Sequence, residues 1–164
     1  MKKYVFDLDN TLYSPLIYPD CWLNNNYYAK FYNTLKQDPE LSEWLKKSKN
    51  NYVFTNGNNE HMNTCLKKLR IKSLFKNTIN SNQFKGGAYK PEESVYELAI
   101  EKFNFKPDDD IFFFEDIAEN LKTAKKFGWI TIFLDYKNKM KKKPQYIDHK
   151  FDNIYDAIAF VHKL

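Results

Sequence analysis

An α/β fold, with a parallel sheet of about five strands and helices on both faces, is what this sequence predicts. Three observations carry that expectation. Short apolar runs rich in Val, Ile and aromatic residues alternate with longer stretches whose apolar residues recur at helical spacing. Several of these runs end abruptly in acids, Thr or Asn, as buried strands do where they surface at the carboxyl edge of a sheet. A chain of 164 residues makes a single domain, residues 1–164, long enough to bury a core without disulfides or a structural metal.

The first strand is expected at Lys3 to Phe6, because Tyr4, Val5 and Phe6 suit a buried position. The segment YVFDLDNTLY then places Asp7 at the strand's end, Asp9 two positions on and Thr11 two beyond that. Along a continued strand the two aspartates would point the same way. Carboxylates that converge on one spot repel each other unless a cation lies beside them. Mg²⁺ is the hard dication that takes oxygen ligands and leaves room for a phosphate. One acid could then attack phosphorus while the other moves protons. A turn or helix cap is the plainer use of Asp7 to Asn10. A calcium loop fits less well, since Leu12 stands where such a loop needs glycine.

Residues Ser14 to Lys49 interrupt the alternation, and Tyr18, Trp22, Tyr27, Tyr28, Phe31, Tyr32 and Trp44 make the stretch aromatic. Two helices are predicted there, broken near Asp38 and Pro39. An insertion after the first strand sits over the carboxyl edge, where a small helical cap belongs. For most of its aromatics, packing between helices is the more ordinary use.

The second strand, Asn51 to Phe54, ends in Thr55, Asn56 and Gly57. A hydroxyl and exposed backbone N–H groups at a strand end can hold phosphate oxygens. Asn-Gly is also a hairpin signal, but the next stretch is helical: Asn59 to Leu69 carries Met62, Leu66 and Leu69 on one side. A third strand is expected at Asn77 to Asn80. Lys90 precedes Pro91 in GAYKPEE, and Pro91 with Glu92 and Glu93 starts a helix, Glu92 to Phe103, that turns Val95, Leu98 and Ala99 inward. An ammonium there could neutralise a nucleophilic carboxylate and a phosphoryl group in transfer, although a lone lysine is usually solvated surface.

The apolar strand Ile111 to Phe114 stops at Glu115 and Asp116. Adjacent acids cannot remain inside a sheet, so they belong at its edge, where one can complete an Mg²⁺ shell; capping of the next helix by Asp116 is compatible with that. The helix Ile117 to Phe127 carries Leu121, Ala124 and Phe127 and stops at Gly128, and the strand Ile130 to Leu134 comes after it. The lysine-rich segment Lys137 to Lys143 should emerge on the same edge as the aspartates. It reads as a solvated loop first, and as a rim for a polyanionic substrate second. A last helix is expected at Asn153 to Val161.

The net charge of +5 rests on lysine, Arg70 being the only arginine. Abundant lysine and asparagine also arise from an AT-rich genome, so the charge is a weak pointer to nucleic acid, which is possible as a partner but not favoured. Cys21 and Cys65 form neither a metal nor a redox spacing and suit a reducing compartment. No signal-peptide core and no apolar run of membrane-spanning length is present, so a cytoplasmic protein with no membrane partner is expected.

Taken in order, strand-DxDxT, strand-TNG, Lys-Pro before a helix and strand-ED resemble the haloacid dehalogenase superfamily, whose members form an aspartyl-phosphate with Mg²⁺. FDLDNTLY, VFTNG with His61 a few positions on, KPEESVYELAI and FFEDIAENLKTAKKFGW look most like its pyrimidine 5′-nucleotidase-like branch. The resemblance implies a Rossmann-like sheet with a reduced cap at residues 14–49. It implies Asp7 as nucleophile, Asp9 as general acid and base, and Thr55 with the backbone of Asn56 and Gly57 as the phosphate holder. Lys90 would stabilise charge and also bear on the phosphate. Mg²⁺ would lie among Asp7, Asp9 through its backbone carbonyl, and Asp116, with Glu115 and Asn120 in support. An acid at Asp9 speaks against the superfamily's dehalogenases, which lack one there.

The expected function is thus an Mg²⁺-dependent phosphomonoesterase acting on a nucleotide or another small phosphate ester. A short cap leaves an open cleft that a nucleic-acid end or phosphoprotein could enter, or that a second subunit could cover. The remaining alternative is a non-catalytic phosphate-binding or scaffold protein, which would have no need for both aspartates.

Overall fold

Six strands, β1 (Lys2–Phe6), β2 (Asn51–Phe54), β3 (Asn77–Ile79), β4 (Asp110–Glu115), β5 (Ile130–Leu134) and β6 (His149–Phe151), pair in parallel in the order β3-β2-β1-β4-β5-β6. The computed structural model describes residues 1–16 and 25–164, with side chains left aside at residues 25–29. Tyr18, Cys21 and Trp22 therefore lie outside the described residues, as do the side chains of Tyr27 and Tyr28.

The chain leaves β1 on one side for β2 and β3 and returns on the other for β4. That reversal puts the carboxyl ends of β1 and β4 side by side, the place where open parallel sheets form their crevice. Asp7 comes directly after β1 and Glu115 ends β4 at this point, and the Asp7 N–H donates to the Phe114 carbonyl at 2.9 Å.

Alternation along the strands feeds two cores. Tyr4 and Phe6 of β1, with Phe112 and Phe114 of β4, join the cluster beneath α2 (Pro39–Lys47), α3 (Asn59–Lys68) and α6 (Ile154–Lys163). Val5 and Phe113 turn the other way, into the cluster with α4 (Glu93–Phe103), α5 (Ala118–Lys126) and the fully buried Trp129. Helices cover both faces, as a parallel sheet of apolar strands requires. No helix among the described residues is long and apolar enough to cross a membrane.

Beyond shifts of one or two residues at the ends of elements, the structure departs from expectation in four places. It has six strands rather than five: β6 is three half-buried residues at the sheet edge, too short and too polar to announce itself. β3 ends at Ile79, because Asn80 caps a short 3₁₀ turn with its side chain. In α4, Tyr96 takes the buried position expected of Leu98, which is only partly covered. Finally, α2 is the crossover helix that a parallel β1-to-β2 connection needs; Leu41 and Leu45 are buried in the sheet's own core, so this half of the segment 14–49 does not lie over the edge. α1 (Asn25–Thr34) is the described part that reaches toward the site, through Tyr32.

Candidate active site

The loop after β1 turns sharply at Asn10, whose φ of 57° is a left-handed conformation that asparagine tolerates. Both acids of the DxD segment line one small cavity of about 160 Å³ with Thr55, Lys90, Glu115 and Asp116. Their carboxylates do not share partners. β1 stops at Phe6, so strand alternation does not govern Asp9, and the two side chains bond to different groups, Asp7 to Lys90 and Asp9 to His61.

Asp7 belongs to a buried ionic cluster. Lys90 Nζ donates at 2.7 Å to Asp7 Oδ1, at 2.7 Å to Glu115 Oε2 and at 2.8 Å to the Phe54 carbonyl. Glu115 is fully buried; its Oε2 also accepts from Asn120 Nδ2 at 3.0 Å, and its Oε1 accepts from the N–H groups of Asp116 and Ile117. Oxygens of Asp7, Glu115 and Asp116 lie within 4.8 Å of one another. Burial, with Glu115 and Asp9 adding to it against Lys90, pushes the Asp7 carboxyl up to about 8. Burial, then Glu115 and Asp7, pushes Asp116 up to about 9. Burial alone would lower the Lys90 ammonium, but Asp7 and Glu115 outweigh it and hold its pKa above the ordinary lysine range.

This donor set fits a hard dication. With all three acids ionised, Lys90 leaves two net negative charges in a space closed to most water, and the available atoms are oxygens. Both oxygens of Glu115 are already engaged, so Asp7 and Asp116 are the side chains that would hold Mg²⁺. The Asp9 side chain is outside this cluster.

Asp9 is held by other groups. His61 Nε2 lies 2.6 Å from Asp9 Oδ1, and the Tyr13 hydroxyl donates to the same oxygen. His61 Nδ1 in turn lies 2.8 Å from the hydroxyl of Tyr32 on α1. Asp9 and His61 are both buried.

Between the two acids runs the loop after β2. Thr55 Oγ1 accepts the Gly57 N–H at 3.0 Å, which leaves the hydroxyl hydrogen free to donate. The side chain of Asn56 is spent on the Lys90 backbone, accepting from its N–H at 2.8 Å and donating to its carbonyl at 3.1 Å. Asn56 therefore aligns Lys90, and only its backbone remains to face a ligand. A Cβ on Gly57 would come 2.9 Å from His61 Cδ2 and 3.3 Å from Thr55 Oγ1, so only glycine lets the loop approach this closely.

Two larger cavities open from here. One of about 480 Å³ shares Asn56, Gly57 and His61 with the site and is lined further by Tyr32, Tyr89 and Glu60. The other, about 450 Å³, lies past Asn10 and Asp116 and is bordered by Lys137, Lys139 and Tyr136.

Asp7, Asp9, Thr55, Asn56, Gly57, Lys90, Glu115, Asp116 and Asn120 all line the small cavity. Sequence reasoning misses Tyr13 and Tyr32 and notes His61 only as part of a motif. The one local signal is Tyr13, an aromatic hydroxyl four positions after Asp9.

The sequence matches the family model of haloacid dehalogenase-like hydrolases over residues 17–128. No curated protein matches it. Among solved structures, a HAD-superfamily hydrolase from Ehrlichia chaffeensis is 19% identical, with 100% of this chain and 98% of that one covered at a TM-score of 0.69. A proposed β-phosphoglucomutase from Thermotoga maritima is 15% identical, covering 100% of both chains at 0.72. The L-2-haloacid dehalogenase from Xanthobacter autotrophicus is 13% identical, covering 100% and 99% at 0.70. At these identities the shared property is the fold.

Proposed function

The chain belongs to the haloacid dehalogenase-like hydrolases, and from that premise we propose that it is an Mg²⁺-dependent phosphomonoesterase working through an aspartyl-phosphate on Asp7. One observation carries the reading: two buried acids of a single loop line one cavity in different surroundings, Asp7 beside Lys90 and two further carboxylates, Asp9 apart from them on His61 and Tyr13. A departing halide needs no proton, so Asp9 would be idle in dehalogenation. A departing alkoxide does need one.

In this reading a carboxylate oxygen of Asp7 attacks phosphorus, the bond from phosphorus to the leaving oxygen breaks, and Asp9 gives that oxygen its proton. Asp9, now a carboxylate, takes a proton from water as the water oxygen attacks phosphorus. The bond to Asp7 then breaks and inorganic phosphate leaves. Lys90 offsets charge on Asp7 throughout, while the Thr55 hydroxyl and the backbone of Asn56 and Gly57 hold phosphoryl oxygens. Mg²⁺, held by Asp7 and Asp116 with the Asp9 carbonyl, would supply charge neutralisation to the transferring group.

The cavity of about 480 Å³ supports a small ester. It offers the rings of Tyr32 and Tyr89 with amide and hydroxyl groups from Asn58 and Ser81, one acid in Glu60, and no lysine or arginine among its described lining. A neutral polar leaving group such as a nucleoside suits such walls better than a polyanion. A second reading, a phosphatase for nucleic-acid ends or phosphoproteins, draws on Lys137 and Lys139 bordering the cavity that Asp116 and Asn10 share with the site. A cytoplasmic location is part of the proposal.

The test is hydrolysis of nucleoside monophosphates, sugar phosphates, a phosphopeptide and a phosphorylated oligonucleotide, with Mg²⁺ and with chelator, by wild type and Asp7→Asn. Turnover that needs both Mg²⁺ and Asp7, greatest on the nucleoside monophosphates, is expected. A folded, Mg²⁺-binding protein that turns over no ester would overturn the reading in favour of a phosphate-binding role.

A further inference from the structure

We propose that His61 and Tyr13 are positioning residues that pin Asp9 through its Oδ1 and thereby make Oδ2 the oxygen that carries the proton. This deepens the phosphomonoesterase reading and rests on it. Both structural hydrogen bonds to Asp9 end on the same atom: His61 Nε2 at 2.6 Å and the Tyr13 hydroxyl each reach Oδ1. Oδ2 takes no hydrogen bond among the described residues. It faces the phosphate loop, 3.6 Å from where a Cβ on Gly57 would stand.

The direction of the bonds comes from chemistry. A carboxylate only accepts, so a His61 hydrogen sits on Nε2, and in the neutral ring the other nitrogen, Nδ1, accepts from the Tyr32 hydroxyl at 2.8 Å. Tyr32 thus fixes the ring form that donates to Asp9. When Asp9 carries its proton, Oδ1 still faces two donors, so the proton belongs on Oδ2, the Asp9 oxygen that lies toward Gly57. His61 borders the cavity of about 480 Å³, but its two ring nitrogens are engaged by Asp9 and by the Tyr32 hydroxyl, so the proton for the leaving group falls to Asp9. The His61 ring packs against Gly57, tilted against the ring of Tyr32 and stacked with that of Phe31. Aromatic walls and a glycine contact hold the imidazole so that a single carboxylate rotamer satisfies it.

In the first half-reaction a phosphorus–oxygen bond breaks and its electron pair leaves on the alcohol oxygen, which takes the proton from Asp9 Oδ2. A leaving group that is a stable anion needs no such proton. Positioning of Asp9 should therefore matter in proportion to the basicity of the leaving group, which a general loosening of the site would not.

The experiment compares kcat/KM for an alkyl phosphate and for 4-nitrophenyl phosphate in wild type, His61→Ala, His61→Gln and Tyr13→Phe, all with Mg²⁺. His61→Ala is expected to lose about a hundredfold on the alkyl ester, and at least about ten times less on the nitrophenyl ester. His61→Gln, which keeps an N–H donor, should recover a large part of the alkyl-ester loss, and Tyr13→Phe should show the same leaving-group bias more weakly. Equal losses on both esters in His61→Ala and His61→Gln would overturn the role while leaving the hydrolase reading intact. Failure of the wild type to hydrolyse either ester would remove that reading and this role with it. Should His61→Ala not fold, the leaving-group bias of Tyr13→Phe and His61→Gln decides the matter.

Discussion

Titrating Mg²⁺ into the metal-free protein between about pH 6 and about pH 10.5 should reveal a binding constant that climbs steeply and then levels off. Asp7 and Asp116, at about 8 and about 9, are largely protonated at neutral pH, because burial disfavours their charged forms and ionising both beside Glu115 would leave two uncompensated negative charges. A dication removes that penalty and displaces their protons. Each proton displaced raises the affinity about tenfold per pH unit, so the slope approaches two protons near pH 6 to 7, is about half a proton near pH 9 and nears zero only above about pH 10. Stability changes with the opposite sign. The two carboxyls are held above the ordinary value of 3.8, so their contribution to the metal-free fold is fully present below that value and is lost as pH rises through about 8 to 9. Mg²⁺ at about a hundred times its Kd should return about 2.7 kcal/mol, which for a chain of this length is a rise in Tm of about 5 to 10 °C. Calorimetric titration in two buffers of different ionisation enthalpy counts the protons, and thermal melts with and without Mg²⁺ give the stability. An Mg²⁺ affinity that does not change with pH and releases no protons would refute the argument from the crowded carboxylates.

The same geometry sets further outcomes. Lys90→Met keeps the aliphatic stem and removes the charge: denaturant melts should show a loss of about 3 to 5 kcal/mol, and initial rates on the best ester a fall of about a hundredfold to a thousandfold. Gly57→Ala places a methyl 2.9 Å from His61 Cδ2, so turnover should drop at least about tenfold while circular dichroism stays native. Charge removal by Lys137→Gln with Lys139→Gln should spare nucleoside monophosphates; selective loss on a phosphorylated oligonucleotide would favour the second reading of the site.

How far the fold and site can be read from residues alone depends on whether the deciding contacts are local. β2 and β5 coincide with their apolar runs, β1 begins one residue earlier than its run and β4 extends one residue beyond its run at each end, because a strand buried on both faces must be largely apolar. β6 escapes because His149 to Phe151 contains no such run and is held by pairing with β5. Asp7, Lys90 and Asp116 are legible since each stands at a strand end or before a helix, places the parallel topology gathers at one edge. The environment of Asp9 is not legible. Alternation stops with β1 at Phe6, and the contact that fixes the side chain comes from His61 on α3, whose own partner Tyr32 sits on α1. Helical periodicity says which face of α3 is buried, not what meets it there. Glu115 is similarly open in the sequence, between supporting the metal and orienting a neighbour; its four hydrogen bonds assign it to holding Lys90, Asn120 and the start of α5.

The measurement that bears most directly on the central claim is mass spectrometry of Asp9→Asn, acid-quenched after mixing with 4-nitrophenyl phosphate and Mg²⁺. That leaving group departs without an acid, whereas breakdown of the intermediate lacks its base, so a phosphoryl group should accumulate on Asp7. Release of nitrophenol with no adduct, or an adduct on any other residue, would contradict the assignment of Asp7 as the nucleophile.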